Sequence, residues 1–220
     1  MNMERRKGYR NRLEAGEVLA AELIEYQGTN PLVLAVPRGG VPVALPVVKM
    51  LSCELDLTIP RKIGAPFQPE IAIGAVCEDG EVLLNTHMTD RLGVDDSYIK
   101  KAAADEVREI KRRLFEYRGE RAPVDVTGRT VIVIDDGVAT GFTITAALKA
   151  VKRNKPRELV LAVPVGAPDS IATLAREADK VVCPFQPEPF YAVGQFYGQF
   201  EQLSDSDVRA MLRQVWEKTL

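Results

Sequence analysis

The feature that most constrains this chain is a junction. Val131-Ile132-Val133-Ile134 runs without a polar break into Asp135-Asp136-Gly137-Val138-Ala139-Thr140-Gly141-Phe142-Thr143. A strand with no apolar/polar alternation is buried on both faces, as in a parallel sheet with helices on either side. In such sheets, crevices open beyond the C-terminal strand ends, and functional groups collect there. Asp135 and Asp136 stand at such an end.

The rest of the chain repeats the same alternation. A helical pattern over 11–26 (Ala15, Leu19, Leu23 and Tyr26 on one face) precedes the apolar run 32–36, which stops at Pro37-Arg38-Gly39-Gly40. A helix over 41–51 follows, with Pro46 expected to kink or shorten it. A second strand over 54–59 ends in Pro60-Arg61-Lys62. Two β-like runs, 71–76 and 81–84, flank Asp79-Gly80, a hairpin signal. The pattern then turns into a charged amphipathic helix over 96–118, with Ile99, Ala103, Val107, Ile110, Leu114 and Tyr117 on its apolar face. After 131–134 come a helix to about 153, a strand over 158–163, a helix over 169–178 and a short strand over 180–182. A last helix starts near Asp205, and Ser204 with Asp207 forms a capping-box pattern ahead of it. Alternating strands and helices predict an α/β fold around a mostly parallel sheet, in one domain over 1–220.

Composition narrows the function classes. The chain of 220 residues is 46% hydrophobic and 27% charged, which suits a packed soluble core rather than disorder. Lys+Arg 29 against Asp+Glu 31 gives a net charge of -2, removing the global electrostatic reason to expect nucleic acid. No run of about 18 apolar residues predicts a membrane span. The positively charged N-terminus has no apolar run behind it and does not read as a secretory signal. Three scattered cysteines (Cys53, Cys77, Cys183) form no CxxC pair and read as reduced thiols of a cytoplasmic protein. One histidine, His87, gives no zinc ligand set.

The loop after Ile134 has a definable chemistry. Free backbone N–H groups and the positive end of a helix dipole suit a phosphate. Gly137 and Gly141 let backbone approach it, and Thr140 and Thr143 add hydroxyl donors. Ionised Asp135 and Asp136 are acceptors only, and sugar hydroxyls are donors. A carboxylate pair beside a phosphate cradle therefore fits a ribose 5-phosphate. The pair also suits a water-coordinated Mg²⁺. No Gly-Lys-Thr/Ser ending makes this a Walker A loop, and the acids precede the loop, unlike a dinucleotide fingerprint.

VIVIDDGVATGFT resembles the phosphoribosyl pyrophosphate (PRPP) motif of type I phosphoribosyltransferases. Pro37-Arg38-Gly39-Gly40 resembles that family's pyrophosphate loop, whose peptide is often cis, and Arg61-Lys62 its basic pair. The resemblance implies a core over about 32–182, an insert or mobile loop over about 64–118, and a C-terminal hood and helix over about 183–220. It implies Mg²⁺-dependent transfer of ribose 5-phosphate from PRPP to a nitrogen nucleophile, most often a nucleobase, by a cytoplasmic homodimer that engages neither nucleic acid nor membrane.

By the same resemblance, Asp135 and Asp136 take the ribose hydroxyls, and both are candidate outer ligands of Mg²⁺ carried by PRPP and water. Gly137, Val138, Ala139, Thr140, Gly141 and Thr143 take the 5-phosphate. Arg38, Gly39, Gly40, Arg61 and Lys62 take the pyrophosphate, with Asp135, Asp136, Arg38 and Lys62 forming the catalytic set. Tyr191 and Val193, in the aromatic segment 184–200, are the candidate contacts to the base. The sequence departs from the 6-oxopurine branch at Ala139, where that branch carries an acid serving as base, and at Gly198. Phe142 is bulky for its place and must turn from the phosphate or shape the acceptor pocket. His87, Arg91, Lys100 and Lys101 in the insert read as solvated side chains. A PRPP- or nucleotide-binding regulator with the same fold and little turnover is the alternative.

Overall fold

The structure, a computed structural model, describes residues 8–217; the ends of the expected 1–220 domain, including most of the charged N-terminus, lie outside them. Its centre is a five-stranded parallel sheet of β1 (Leu32–Ala35), β2 (Glu54–Leu57), β6 (Thr130–Ile134), β7 (Glu158–Ala162) and β8 (Lys180–Val182), in the order β2-β1-β6-β7-β8. The two most apolar runs of the sequence are neighbours, with Leu32 opposite Val131 and Ala35 opposite Ile134.

Successive residues of each strand feed opposite cores. Val33, Ala35, Ile132, Ile134, Val160 and Ala162 point to the side covered by α1 (Arg12–Glu22), α2 (Gly40–Leu51) and α7 (Asp205–Trp216). Leu32, Leu34, Val131, Val133, Leu159 and Leu161 point to the side of α5 (Phe142–Arg153) and α6 (Pro168–Leu174). Each Val, Leu or Ile among them contributes about 1.5–3 kcal/mol by its burial, and the two alanines less.

Several expected boundaries shift. The first helix ends at Glu22, and residues 24–26 continue as a 3₁₀ turn. The strand expected over 54–59 stops at Leu57, and the helix expected over 169–178 spans Pro168–Leu174. Helix α2 runs from Gly40 through Pro46 to Leu51 without shortening. Val41, Val43, Ala44, Val47 and Val48 are all buried there, and that packing outweighs the one backbone hydrogen bond Pro46 cannot donate.

Residues 61–118 form an ordered excursion. β3 (Arg61–Ala65), β4 (Gln68–Val76) and β5 (Val82–Leu84) make a second, antiparallel sheet, followed by α3 (Thr86–Leu92) and α4 (Asp96–Arg118). The Asp79-Gly80 turn joins β4 and β5 as expected, and α4 has the bounds its periodicity predicts. The β3 hairpin and α3 were not legible as such. One face of this sheet joins the α1–α2 core through Ile63, Ala65, Ile73 and Val76. Ala75 and Cys77 on its other face pack on Ala146, Ala147 and Ala150 of α5.

A buried charge fastens the excursion to the main sheet. Asp56 of β2 is 1% exposed, and its Oδ1 accepts from Arg118 Nε at 2.7 Å. Arg118 also donates to the Leu57 carbonyl at 2.8 Å, and Val124 N–H donates to Asp56 Oδ2 at 2.9 Å. Removing one partner of such a pair leaves the other charge buried and alone. Asp56→Ala is expected to lower unfolding free energy by about 3–5 kcal/mol, measured by urea denaturation. A loss below about 1 kcal/mol would mean that Arg118 is solvated.

Candidate active site at the ends of β1 and β6

Parallel pairing of β1 with β6 brings the Pro37–Gly40 loop against the motif loop. Val36 N–H donates to the Ile134 carbonyl at 2.8 Å, and both chains then leave the sheet together. The Pro37–Arg38 peptide is cis, as the resemblance implies for that loop. The two loops meet so closely that side chains are excluded. A Cβ on Gly39 would lie 1.9 Å from Asp136 Oδ2, and one on Gly40 would lie 2.5 Å from the Ile134 carbonyl oxygen. The Gly-Gly pair is thus a requirement of loop contact, not only of a turn.

The motif loop is anchored through Val138 and two carbonyls, those of Asp136 and Ala139, while its N–H groups beyond Val138 stay open. Val138 N–H donates to Val165 O, and Ala167 N–H donates to Val138 O, each at 2.9 Å. Ser170 Oγ donates to the Ala139 carbonyl at 2.6 Å. Gly141, at φ +72°, turns the chain into α5, which has no side-chain cap. Within the described residues, the N–H groups of Ala139, Thr140, Gly141, Phe142 and Thr143 meet no acceptor. Unused donors at a positive helix end form an anion cradle. Phe142 packs against the cluster that Ala75 and Cys77 form with the α5 alanines, so its ring joins the interface with the second sheet.

The two acids are not equivalent. Asp135 Oδ1 accepts from the Asp136 N–H at 2.8 Å. Burial, reinforced by the neighbouring Asp136 charge, pushes the Asp135 carboxyl well above its ordinary range. Burial also raises Asp136, but the Arg12 guanidinium opposes it, with Nε donating to Oδ2 at 2.8 Å. Arg12 Cζ sits over the Phe200 ring, 3.8 Å from its centroid, and Nη1 donates to the Glu201 carbonyl at 3.0 Å. Tyr197 Oη donates to the Asp136 carbonyl at 2.6 Å. Arg12, Tyr197 and Phe200 were not singled out by the sequence as parts of this site. Nothing in local spacing marks them, because they reach it from opposite ends of the chain.

The other expected residues spread around this centre. Arg38 sits 3.8 Å from Asp205 at the start of α7, and Tyr117 Oη donates to the same carboxylate at 2.5 Å. Arg38, Gly39, Arg12 and Leu203 border an open pocket of about 370 Å³. Arg61 and Lys62 do not end a parallel strand; they begin β3 of the second sheet. Arg61 forms an ion pair with Glu106 of α4, and Lys62 Nζ reaches the Glu70 carbonyl at 3.4 Å. They share a cleft of about 610 Å³ with Thr143, Gly64 and Tyr98, so the basic pair and Thr143 of the motif face one space. Val193 closes on Gly137, its Cγ1 lying 2.6 Å from where a Cβ would be. Tyr191 points outward and is 82% exposed. His87, Arg91, Lys100 and Lys101 are exposed.

A model of the phosphoribosyl transferase domain matches residues 9–196. The chain belongs to that family. Two Mycobacterium tuberculosis proteins that bear the phosphoribosyl transferase name are 41% identical over 206 residues, covering 94% of this chain and 46% of each relative. The chain therefore spans about half the length of these curated relatives. A Lactococcus lactis hypoxanthine-guanine phosphoribosyltransferase is 30% identical over 138 residues, covering 60% of this chain and 69% of that protein. The crystal structure of a Thermus thermophilus protein is 41% identical, with a TM-score of 0.80, and covers 94% of this chain and 98% of that one. No helix among the described residues is long and apolar enough to cross a membrane.

The unequal acids of this phosphoribosyl transferase domain carry a stability consequence. A carboxyl whose folded-state value is raised costs stability that builds as pH climbs above the unfolded value and is complete once pH passes the folded value. Asp135→Asn keeps an acceptor for the Asp136 N–H and removes the cost. It is expected to raise Tm at pH 7 by about 2–4 °C, corresponding to roughly 1 kcal/mol, with the gain shrinking toward pH 4. A Tm lowered at pH 7 would show that Asp135 is stabilised as the anion.

Proposed function

We propose that this protein catalyses Mg²⁺-dependent transfer of ribose 5-phosphate from PRPP to a nitrogen nucleophile, a nucleobase, with release of pyrophosphate. One observation carries the reading: two acids stand beside a set of unused N–H donors and in contact with a glycine pair. Sugar hydroxyls, a phosphate and a pyrophosphate are the three ligand parts those groups match. A homodimer in the cytoplasm goes with this reading.

In this assignment the N–H groups of Ala139, Thr140, Gly141 and Thr143, with the Thr140 and Thr143 hydroxyls, hold the 5-phosphate, while Gly137 and Val138 shape the cradle. Asp135 and Asp136 accept from the ribose hydroxyls. Arg38, Gly39, Gly40, Arg61 and Lys62 receive the pyrophosphate. As the C1–O bond to pyrophosphate breaks, its electron pair leaves with the pyrophosphate, and the acceptor nitrogen's lone pair closes on C1. Cations fixed around the leaving group stabilise the charge that builds there, and the cradle holds C1 in line. Ala139 accepts no proton, so a proton on the nucleophile passes to solvent or to the departing pyrophosphate. Val193, closed on Gly137, and the exposed ring of Tyr191 are assigned to the base.

Mg²⁺ fits these residues as an ion carried by substrate. The described residues contain no group of three His, Cys, Asp or Glu side chains able to cage a metal, and Mg²⁺ keeps its waters and needs only one or two carboxylates. Asp135 and Asp136 are the pair that would hold it. When bound, it would neutralise negative charge on the pyrophosphate.

One observation favours the regulatory alternative. Arg38 and Arg61, the guanidinium groups assigned to pyrophosphate, already face Asp205 and Glu106, so binding must compete with internal partners. PRPP titration with Mg²⁺, followed by pyrophosphate release over a panel of nucleobases, separates the two. Turnover on one base supports the enzyme, and binding without turnover supports the regulator. Asp135→Asn combined with Asp136→Asn is expected to weaken PRPP binding at least tenfold (about 1.4 kcal/mol). Unchanged affinity removes the ribose assignment. Lys62→Ala should weaken PRPP binding while sparing ribose 5-phosphate; an equal loss for both would remove Lys62 from the pyrophosphate subsite.

A further inference from the structure

We infer that Arg12 is a positioning residue of the ribose site: from the first turn of α1 it holds the Asp136 carboxylate over Gly39 and ties it to the hood through Phe200. The inference rests on the reading of Asp136 as a ribose-binding acid and extends it to a residue outside all the recognised loops.

Four contacts converge. Arg12 Nε donates to Asp136 Oδ2 at 2.8 Å, Nη1 donates to the Glu201 carbonyl at 3.0 Å, and the guanidinium lies 3.8 Å from the Phe200 centroid. Asp136 Oδ2 in turn occupies the space over Gly39, 1.9 Å from where a Cβ would stand. The pair is nearly closed to water, the Arg12 and Asp136 side chains being 12% and 14% exposed. An exposed ion pair orients little, because two long side chains lose entropy for a screened attraction. Here the carboxylate is closed by Gly39 on one side, by Arg12 on another and by the hydrogen-bonded Asp135 carboxyl on a third, so its direction is fixed before any sugar arrives.

The arrangement needs an arginine. A planar guanidinium offers a fork of donors in its plane and a face to an aromatic ring at once, while a lysine ammonium is a point charge with neither fork nor face. Phe200 is itself stacked on Tyr197, with centroids 5.1 Å apart, and Tyr197 Oη donates to the Asp136 carbonyl. The segment leading into α1 is laced to the hood by backbone. Tyr9 N–H donates to Phe196 O at 2.8 Å, Gly198 N–H to Tyr9 O at 2.8 Å, and Gln199 N–H to Arg10 O at 2.7 Å. The hood is thus held by backbone bonds to residues 9 and 10, and Arg12 adds a side-chain tie between it and the ribose acid.

The test uses the full chain, with PRPP and Mg²⁺ followed by calorimetry and pyrophosphate release followed where a base turns over. R12M is expected to raise the PRPP Kd at least tenfold, and KM for PRPP more than kcat falls. R12K, which keeps the charge but not the plane, should recover only part of the loss. Arg10→Met, whose side chain is 80% exposed, should leave Kd within twofold. In an Asp136→Asn background, R12M should add less than a further twofold, because its partner is gone. The same factor in both backgrounds would mean a merely structural role, and an R12M Kd within twofold of wild type would also overturn the inference. Should R12M fail to fold, Phe200→Leu removes the stacked ring and keeps the ion pair. A Kd raised about threefold then supports the inference, and an unchanged Kd overturns it. Failure of the wild type to bind PRPP overturns the ribose reading and this inference together, whereas binding with an unaffected R12M overturns only the role of Arg12.

Discussion

The pairing of β1 with β6 is the constraint from which the site follows. Leu32 to Ala35 and Val131 to Ile134 are far apart in sequence and share one ladder. Because parallel strands run the same way, their two C-terminal loops must leave the sheet side by side. Everything chemical at this edge derives from that exit: the acids above the Gly-Gly pair, the helix start with unused donors, and the crevice between them. Antiparallel pairing of the same strands would have sent the two loops to opposite ends of the sheet.

Around that exit, the protein spends charge unevenly. Asp135 is buried beside a second acid and disfavoured as an anion, while Asp136 receives Arg12. The difference gives the pair two characters within one dipeptide. The arginines assigned to pyrophosphate are likewise not idle, since each faces a carboxylate. A multiply charged anion can displace such partners, and the cation is meanwhile held near its working place. The same economy operates at Asp56 and Arg118, where a buried pair serves architecture alone and fixes the excursion that carries Arg61 and Lys62.

How much of this was legible follows the range of the interactions. Strand runs such as Val131–Ile134 and the long face of α4 are written in local periodicity, and their bounds could be read directly. The motif loop is also local, because phosphate binding by backbone needs consecutive residues. Pro46 does not shorten α2, because a propensity argument counts one lost hydrogen bond and not the five buried residues that hold the helix together. The β3 hairpin was missed because Arg61-Lys62 reads as a polar strand end when its antiparallel partner is unknown. Tyr191 was placed by resemblance alone, whereas the direction of a loop side chain is decided by packing, and its ring faces solvent here.

By itself, the sequence determined the parallel α/β architecture, the two acids at a strand end, and the glycine-containing loops, since each depends on neighbours along the chain. Tertiary structure alone decided that Gly39 lies beneath Asp136, that Thr143 faces the cleft of Arg61 and Lys62, and that Arg12 joins an acid and an aromatic ring from remote parts of the chain. The physical reason is that contact between distant segments is set by how strands pair and helices pack, and no residue spacing encodes that distance.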